Sequence, residues 1–140
     1  MSVQLNPYLN FKNAARSAME FYQSVFGGEL AISTFADLGA PVEDPERDGV
    51  MHSVLTTPSG LVLMASDTPD KFEYTKGTDM SVSLSGDDEA ALTGFWQGLS
   101  RDATSEQPLE KSPWGDTFGM LTDSFGVRWL VNITAAAPAA

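Results

Sequence analysis

The chain has no cysteine and a single histidine, His52. The first absence excludes disulfides, thiolate metal sites and cysteine nucleophiles. The second leaves one side chain whose ordinary titration falls near neutral pH. No apolar run reaches the roughly 18 residues that a membrane-spanning helix needs. The opening Met1-Ser2-Val3-Gln4-Leu5-Asn6 has neither the basic segment nor the apolar core of a secretion signal. Cationic residues are scarce: 8 Lys and Arg stand against 19 Asp and Glu, a net charge of -11. So acidic a surface repels phosphate backbones, which argues against a nucleic acid partner. These absences together predict a soluble, cytoplasmic protein with no nucleic acid or membrane partner.

What is present can build a core. Hydrophobic residues make up 42% of 140 residues, enough for one domain of ordinary size. That domain is assigned to residues 1–134. Residues 135–140 are only Ala and Pro and are expected to form a disordered tail.

Hydrophobic periodicity gives the same unit twice. Val3 to Phe11 reads as a strand, with Leu5, Pro7, Leu9 and Phe11 on one face and Gln4, Asn6, Tyr8 and Asn10 on the other. Asn13 offers an N-cap for a helix whose stripe is Ala15, Ala18, Met19, Tyr22, Val25 and Phe26. Gly27-Gly28 supplies its C-cap. Glu29 to Phe35 follows as a strand, then an acidic loop from about Asp37 to Gly49. Val50 to Thr56 and Leu61 to Ser66 form a hairpin around Thr57-Pro58-Ser59-Gly60.

The second unit repeats this order: strand Met80 to Ser85, then a helix started by Asp87 and Asp88 with the stripe Leu92, Phe95, Trp96 and Leu99. A strand near Thr104 to Leu109 leads to a Pro113-Trp114-Gly115 loop. Thr117 to Thr122 and Val127 to Ile133 close the unit as a hairpin around Asp123-Ser124-Phe125-Gly126. Phe21-Tyr22 maps onto Phe95-Trp96, 74 positions later, and Gly60 onto Gly126, 66 positions later. The acidic loop of the first unit accounts for the difference. The predicted fold is α+β, two βαβββ units (about residues 3–67 and 79–133) paired around a cleft.

Several segments carry a family resemblance. They are Asn6-Pro7-Tyr8-Leu9-Asn10-Phe11, Phe21-Tyr22, Val25-Phe26-Gly27-Gly28-Glu29, Met51-His52, Leu63-Met64-Ala65-Ser66-Asp67, Trp114-Gly115-Asp116-Thr117-Phe118-Gly119, and Asp123-Ser124-Phe125-Gly126-Val127-Arg128-Trp129. They resemble the PhnB-like branch of the glyoxalase/bleomycin-resistance/dioxygenase, or vicinal-oxygen-chelate, superfamily. The resemblance spans about residues 3–133. It implies two βαβββ units around a cleft, and a homodimer. Members of that branch often carry the label of a 3-demethylubiquinone methyltransferase, yet this sequence has no glycine-rich nucleotide loop after its first strand.

Metal enzymes of the superfamily hold a divalent ion with four inward side chains, usually His, Glu or Gln, and polarise a bound oxygen pair. Carried over by pattern, those four positions fall on Asn6, Met64, Ser81 and Leu130. A methionine and a leucine cannot hold a hard or borderline cation, so no metal or other cofactor is expected.

The candidate ligand-binding residues are Asn6, Tyr8, His52, Asp67, Trp114 and Phe118. His52 is the candidate catalytic residue. It is either an acid, base or ligand facing the cleft, or a satisfied core or edge histidine. Asp67 is its nearest carboxylate by sequence, but reads better as the turn residue that opens Asp67-Thr68-Pro69-Asp70. Trp114 is a lid over a ligand or a plug against the sheet, and Trp129 reads as core. The acids between Glu43 and Asp48 are interrupted by Pro45 and Arg47, which suits a solvated loop rather than a calcium site. The leading function is metal-free binding of an unidentified small molecule. The alternatives are a metal-dependent lyase or dioxygenase, and a metal-free enzyme that uses His52 as acid or base.

Overall fold

The computed structural model describes residues 2–135. The chain divides into two compact units, Met1–Lys76 and Gly77–Ala140. The first runs β1 (Tyr8–Phe11), α1 (Ala15–Phe26), β2 (Glu29–Thr34), a single 3-10 turn (Asp44–Glu46), β3 (Val50–Thr56) and β4 (Val62–Asp67). The second runs β5 (Val82–Gly86), α2 (Glu89–Leu99), β6 (Thr104–Lys111), β7 (Thr117–Thr122) and β8 (Arg128–Ile133). Each unit has one four-stranded sheet, ordered β1-β4-β3-β2 and β5-β8-β7-β6. In each, the first strand runs parallel to the last, and the other pairings are antiparallel. This is the predicted α+β pattern of two βαβββ units.

One face of each sheet is covered by its own helix. In the first unit Ala15, Ala18, Met19 and Tyr22 of α1 are buried, as are Phe11, Leu55, Leu63 and Ala65 on the strands. Burying a side chain as large as Met19 or Tyr22 contributes about 2 kcal/mol. In the second unit Leu92, Val131 and Ile133 form the core, with Leu84, Phe95, Trp96 and Leu109 packed against it. Trp129 is 1% exposed, as its core reading predicted.

Strand alternation follows from this one-sided burial. β4 reads half-buried, buried in strict alternation: Leu63, Ala65 and Asp67 face the helix, and Val62, Met64 and Ser66 face the other way. The hairpin turns form as expected: Gly60 and Gly126 both have positive φ (95° and 87°) and donate back to Thr57 and Asp123.

Three expectations change. The first strand begins at Tyr8, not Val3. Its first link to the sheet runs from Met64 N–H to the Pro7 carbonyl, and Val3 and Leu5 are each 99% exposed. Pro7 lacks the N–H that would extend the ladder, so alternation alone does not make a strand there. Asn13 is not the N-cap of α1. It has φ 58°, Ala14 takes the cap position with no cap from a neighbouring side chain, and the capping carboxylate comes from Asp67. β6 runs on to Lys111, with irregularities around Gln107 that accommodate Pro108. Of the expected tail, Ala135 is tied by its N–H to Asp116, and residues 136–140 lie outside the described residues.

Candidate functional site

The face of the first sheet turned away from α1 carries Tyr8 and Asn10 from β1, Val62, Met64 and Ser66 from β4, His52, Val54 and Thr56 from β3, and Glu29, Ala31 and Ser33 from β2. Register sorts these into rows. Tyr8 lies beside Met64, Met64 beside Val54, and Val54 beside Ala31. Asn10 lies beside Ser66 and Ser33 beside His52, and the pairing of Ser53 with Ala65 puts His52 next to Ser66. An apolar row therefore runs alongside a row of hydrogen-bonding groups.

Tyr8 and His52 meet across β4. The Tyr8 hydroxyl lies 3.1 Å from His52 Nδ1, and the two rings are stacked with centroids 5.8 Å apart and an interplanar angle of 26°. Tyr8 remains 43% exposed and His52 is exposed too, so both can reach a ligand. A phenol and an imidazole in contact can bind an acceptor or donor, or pass a proton.

Asp67 does not serve His52. It is buried at the end of β4 and faces the helix side. Its Oδ1 accepts the N–H groups of Ala14 and Ala15, and its Oδ2 accepts that of Val50. It is neither a turn residue nor a catalytic partner: it ties the start of α1 to the sheet. Asn6 lies just before β1 and donates a long 3.4 Å bond to Gln4 rather than bonding to Tyr8 or His52.

In the second unit Trp114 and Phe118 form a tilted aromatic pair, centroids 6.1 Å apart. Phe118 lies on the sheet face turned away from α2, beside Asn132, with Met120 beside Leu130 on the same face. Trp114 is 66% exposed at the tip of a turn that Ser112 closes: its N–H and hydroxyl both donate to the Asp116 carbonyl. Sequence reasoning missed Asp116. Its carboxylate accepts the Ala135 N–H and the Asn132 amide, and these bonds hold its pKa below the usual carboxylate value. Alternation along β8 would have put Asn132 on the face of Phe118 and suggested that contact.

The donor set does not suit the superfamily's metal. The Met64 and Leu130 side chains have no carboxylate or imidazole to offer, Ser81 precedes β5, and Asn6 precedes β1. Among the described residues no three His, Asp or Glu side chains cluster closely enough to hold an ion. Nor does either helix start resemble a nucleotide loop. β1 joins α1 through Lys12-Asn13-Ala14. The turn before α2 is Gly86-Asp87-Asp88, whose carboxylates would repel a phosphate.

Sheet topology, helices and strand order define a glyoxalase/bleomycin-resistance/dioxygenase fold. A protein of that superfamily from Burkholderia phytofirmans PsJN shares it at TM-score 0.57 and 16% identity, over 90% of this chain and 95% of that one. The chain belongs to the PhnB-like family described as 3-demethylubiquinone-9 3-methyltransferase, which matches residues 3–132. It is similar to protein PA1353 from Pseudomonas aeruginosa, with 34% identity and TM-score 0.84 over 96% of this chain and all (100%) of that one. It is also similar to a Bacillus cereus PhnB protein described as a putative 3-demethylubiquinone-9 3-methyltransferase. That match has 26% identity and TM-score 0.74, over 94% and 100% of the two chains.

Proposed function

We propose that this protein binds a small organic molecule without the divalent metal of its superfamily, and that Tyr8 and His52 head the binding surface. The hydrogen-bonded Tyr8–His52 pair carries this reading. It is a polar pair beside an apolar row, on a sheet face with no structural duty toward the helix. Binding sites are typically apolar surfaces with a few placed polar groups, and this face has that composition. Trp114 and Phe118 offer a second aromatic surface on the other unit. Asp67 is dropped from the binding set because its carboxylate is consumed by three backbone N–H groups. The same Tyr8–His52 contact favours one second reading, a metal-free enzyme in which His52 moves a proton. We also propose a cytoplasmic homodimer. Among the described residues no helix is long and apolar enough to cross a membrane.

Thermal unfolding tests the binding reading. EDTA should leave the midpoint unchanged. Benzamide at about ten times its Kd should stabilise by about 1.4 kcal/mol, a rise of a few degrees that His52→Ala removes. A large loss of stability in EDTA, restored by stoichiometric metal, would overturn it. For the enzymatic reading, a His52→Ala variant that keeps any activity found would count against it.

A further inference from the structure

We infer that the ligand of the Tyr8–His52 face is uncharged, an apolar body of about aromatic-ring size with one hydrogen-bond acceptor such as an amide or ketone carbonyl. This rests on the binding reading above and adds the chemical class.

The hydrogen bond between Tyr8 and His52 sets the first constraint. A neutral imidazole nitrogen is a far better acceptor than a phenol oxygen, and a phenol is the better donor. The Tyr8 O–H therefore donates to Nδ1. The ring proton then sits on Nε2, on the side of the ring away from Tyr8. Among the described residues Nε2 has no partner. It presents one N–H to whatever lies on the face, so the ligand must bring an acceptor.

The surroundings set the second constraint. The row containing His52 offers the Ser33 and Ser66 hydroxyls and the Asn10 amide. The adjacent row of Ala31, Val54, Met64 and the Tyr8 ring offers apolar contact from one side chain on each of the four strands. A planar ring covers the second row while its polar substituent reaches the first.

Charge sets the third constraint. The strand positions of this face include one carboxylate, Glu29, at the end opposite His52, and no lysine or arginine. Just past β1, Lys12 is already paired with Asp70. An anion would lose water here without gaining a cation, in a chain of net charge -11. A cation would face the His52 N–H, with neutral hydroxyl and amide oxygens beside it and the one carboxylate, Glu29, at the far end. A neutral acceptor satisfies both conditions.

Benzamide and benzoate share shape and size and differ in charge, so they test this directly. The probes are titrated into the full chain at pH 8 while the ring C–H protons of His52 are followed by NMR, unambiguous because the chain has one histidine. Benzamide should bind about tenfold or more tighter than benzoate. His52→Phe, which keeps an aromatic ring, should weaken benzamide about fivefold, the worth of one net hydrogen bond, and leave benzamide the tighter binder of the two. Long-range proton–nitrogen spectra should place the ring proton on Nε2. Equal or tighter binding of benzoate, or a proton on Nδ1, overturns the inference and leaves the binding face standing. If neither probe moves His52 up to its solubility limit, the binding face falls and the inference falls with it.

Discussion

The two units have one topology and opposite ways of holding it. In the first, the start of the helix is anchored from the sheet: Asp67, at the end of β4, accepts the N–H groups of Ala14 and Ala15. The equivalent position 66 residues on is Ile133, which is buried in the apolar core with Leu92 and Val131. There the helix caps itself, Asp88 accepting from Ala91. The hairpins reverse the pattern. Both hairpin positions are buried, but Thr57 closes the first turn by accepting from Leu61, whereas its counterpart Asp123 accepts from Phe125 and Val127 and also binds the Trp129 indole N–H at 2.8 Å. Each unit places one buried carboxylate where backbone donors would otherwise lack partners, but at different corners. The outward sheet faces differ as well. The first bears the Tyr8–His52 pair and three other hydrogen-bonding residues beside it. The second bears Phe118, Met120 and Leu130 with Trp114 close by, and its polar positions include Ser83, Ser85 and Asn132 but no histidine or tyrosine. Duplication has preserved the packing and left the chemistry uneven.

Removing the anchors should expose that asymmetry most strongly. Asp67→Ala leaves three N–H groups without acceptors, two of them buried, and is expected to cost about 3 kcal/mol. Asp88→Ala removes one exposed cap and should cost about 1 kcal/mol. Urea unfolding of both variants checks the ratio. Equal losses would mean that the two helices are held alike.

A smaller effect is expected where the helices press on the sheets. Gly119 occupies the position that Ser53 holds in the first unit, and a Cβ there would lie 2.7 Å and 2.9 Å from the Trp96 ring. Gly119→Ala should cost about 2 kcal/mol by overpacking, and part of that should return in a Trp96→Phe background. Ser53→Ala, which loses a hydrogen bond to the Ala65 carbonyl, should cost about 1 kcal/mol. Thermal unfolding of these variants would sharpen the comparison, because it separates a steric limit in one unit from a polar one in the other.

The smallest effect is one in which the units should agree. Asp37, through the Thr34 N–H and hydroxyl with help from Arg16, and Asp116, through Ala135 and Asn132, both titrate below the usual carboxylate value. A lowered folded pKa contributes stability above the unfolded value and loses it as pH falls through the folded one. Stability should therefore drop below about pH 4, and Asp37→Asn and Asp116→Asn should each flatten that acid limb slightly.

The repeat, the helix stripes and the hairpin turns were legible in the sequence because they rest on local period and turn chemistry. β3 and β7 matched their expected bounds, and Gly27, φ 75°, ends α1 as its position implied. The errors arose where distant residues decide. Asp67 precedes Thr68-Pro69, a local turn signal, but its partners lie 17 to 53 positions away. Alternation at Val3 and Leu5 resembles a strand, yet no neighbouring strand pairs with it among the described residues. His52 was singled out as the only histidine. Its partner, 44 positions distant, follows from sheet register rather than from any motif.

The most direct test of the binding account uses the chain's six methionines. Met64 lies between Tyr8 and Val54 on the proposed surface, and Met19 is buried under α1. With carbon-13-labelled methionine methyl groups, a benzamide titration should shift the Met64 methyl together with the His52 ring signals and leave Met19 still. A Met64 signal that stays in place while other methionines move would contradict the assignment of this face.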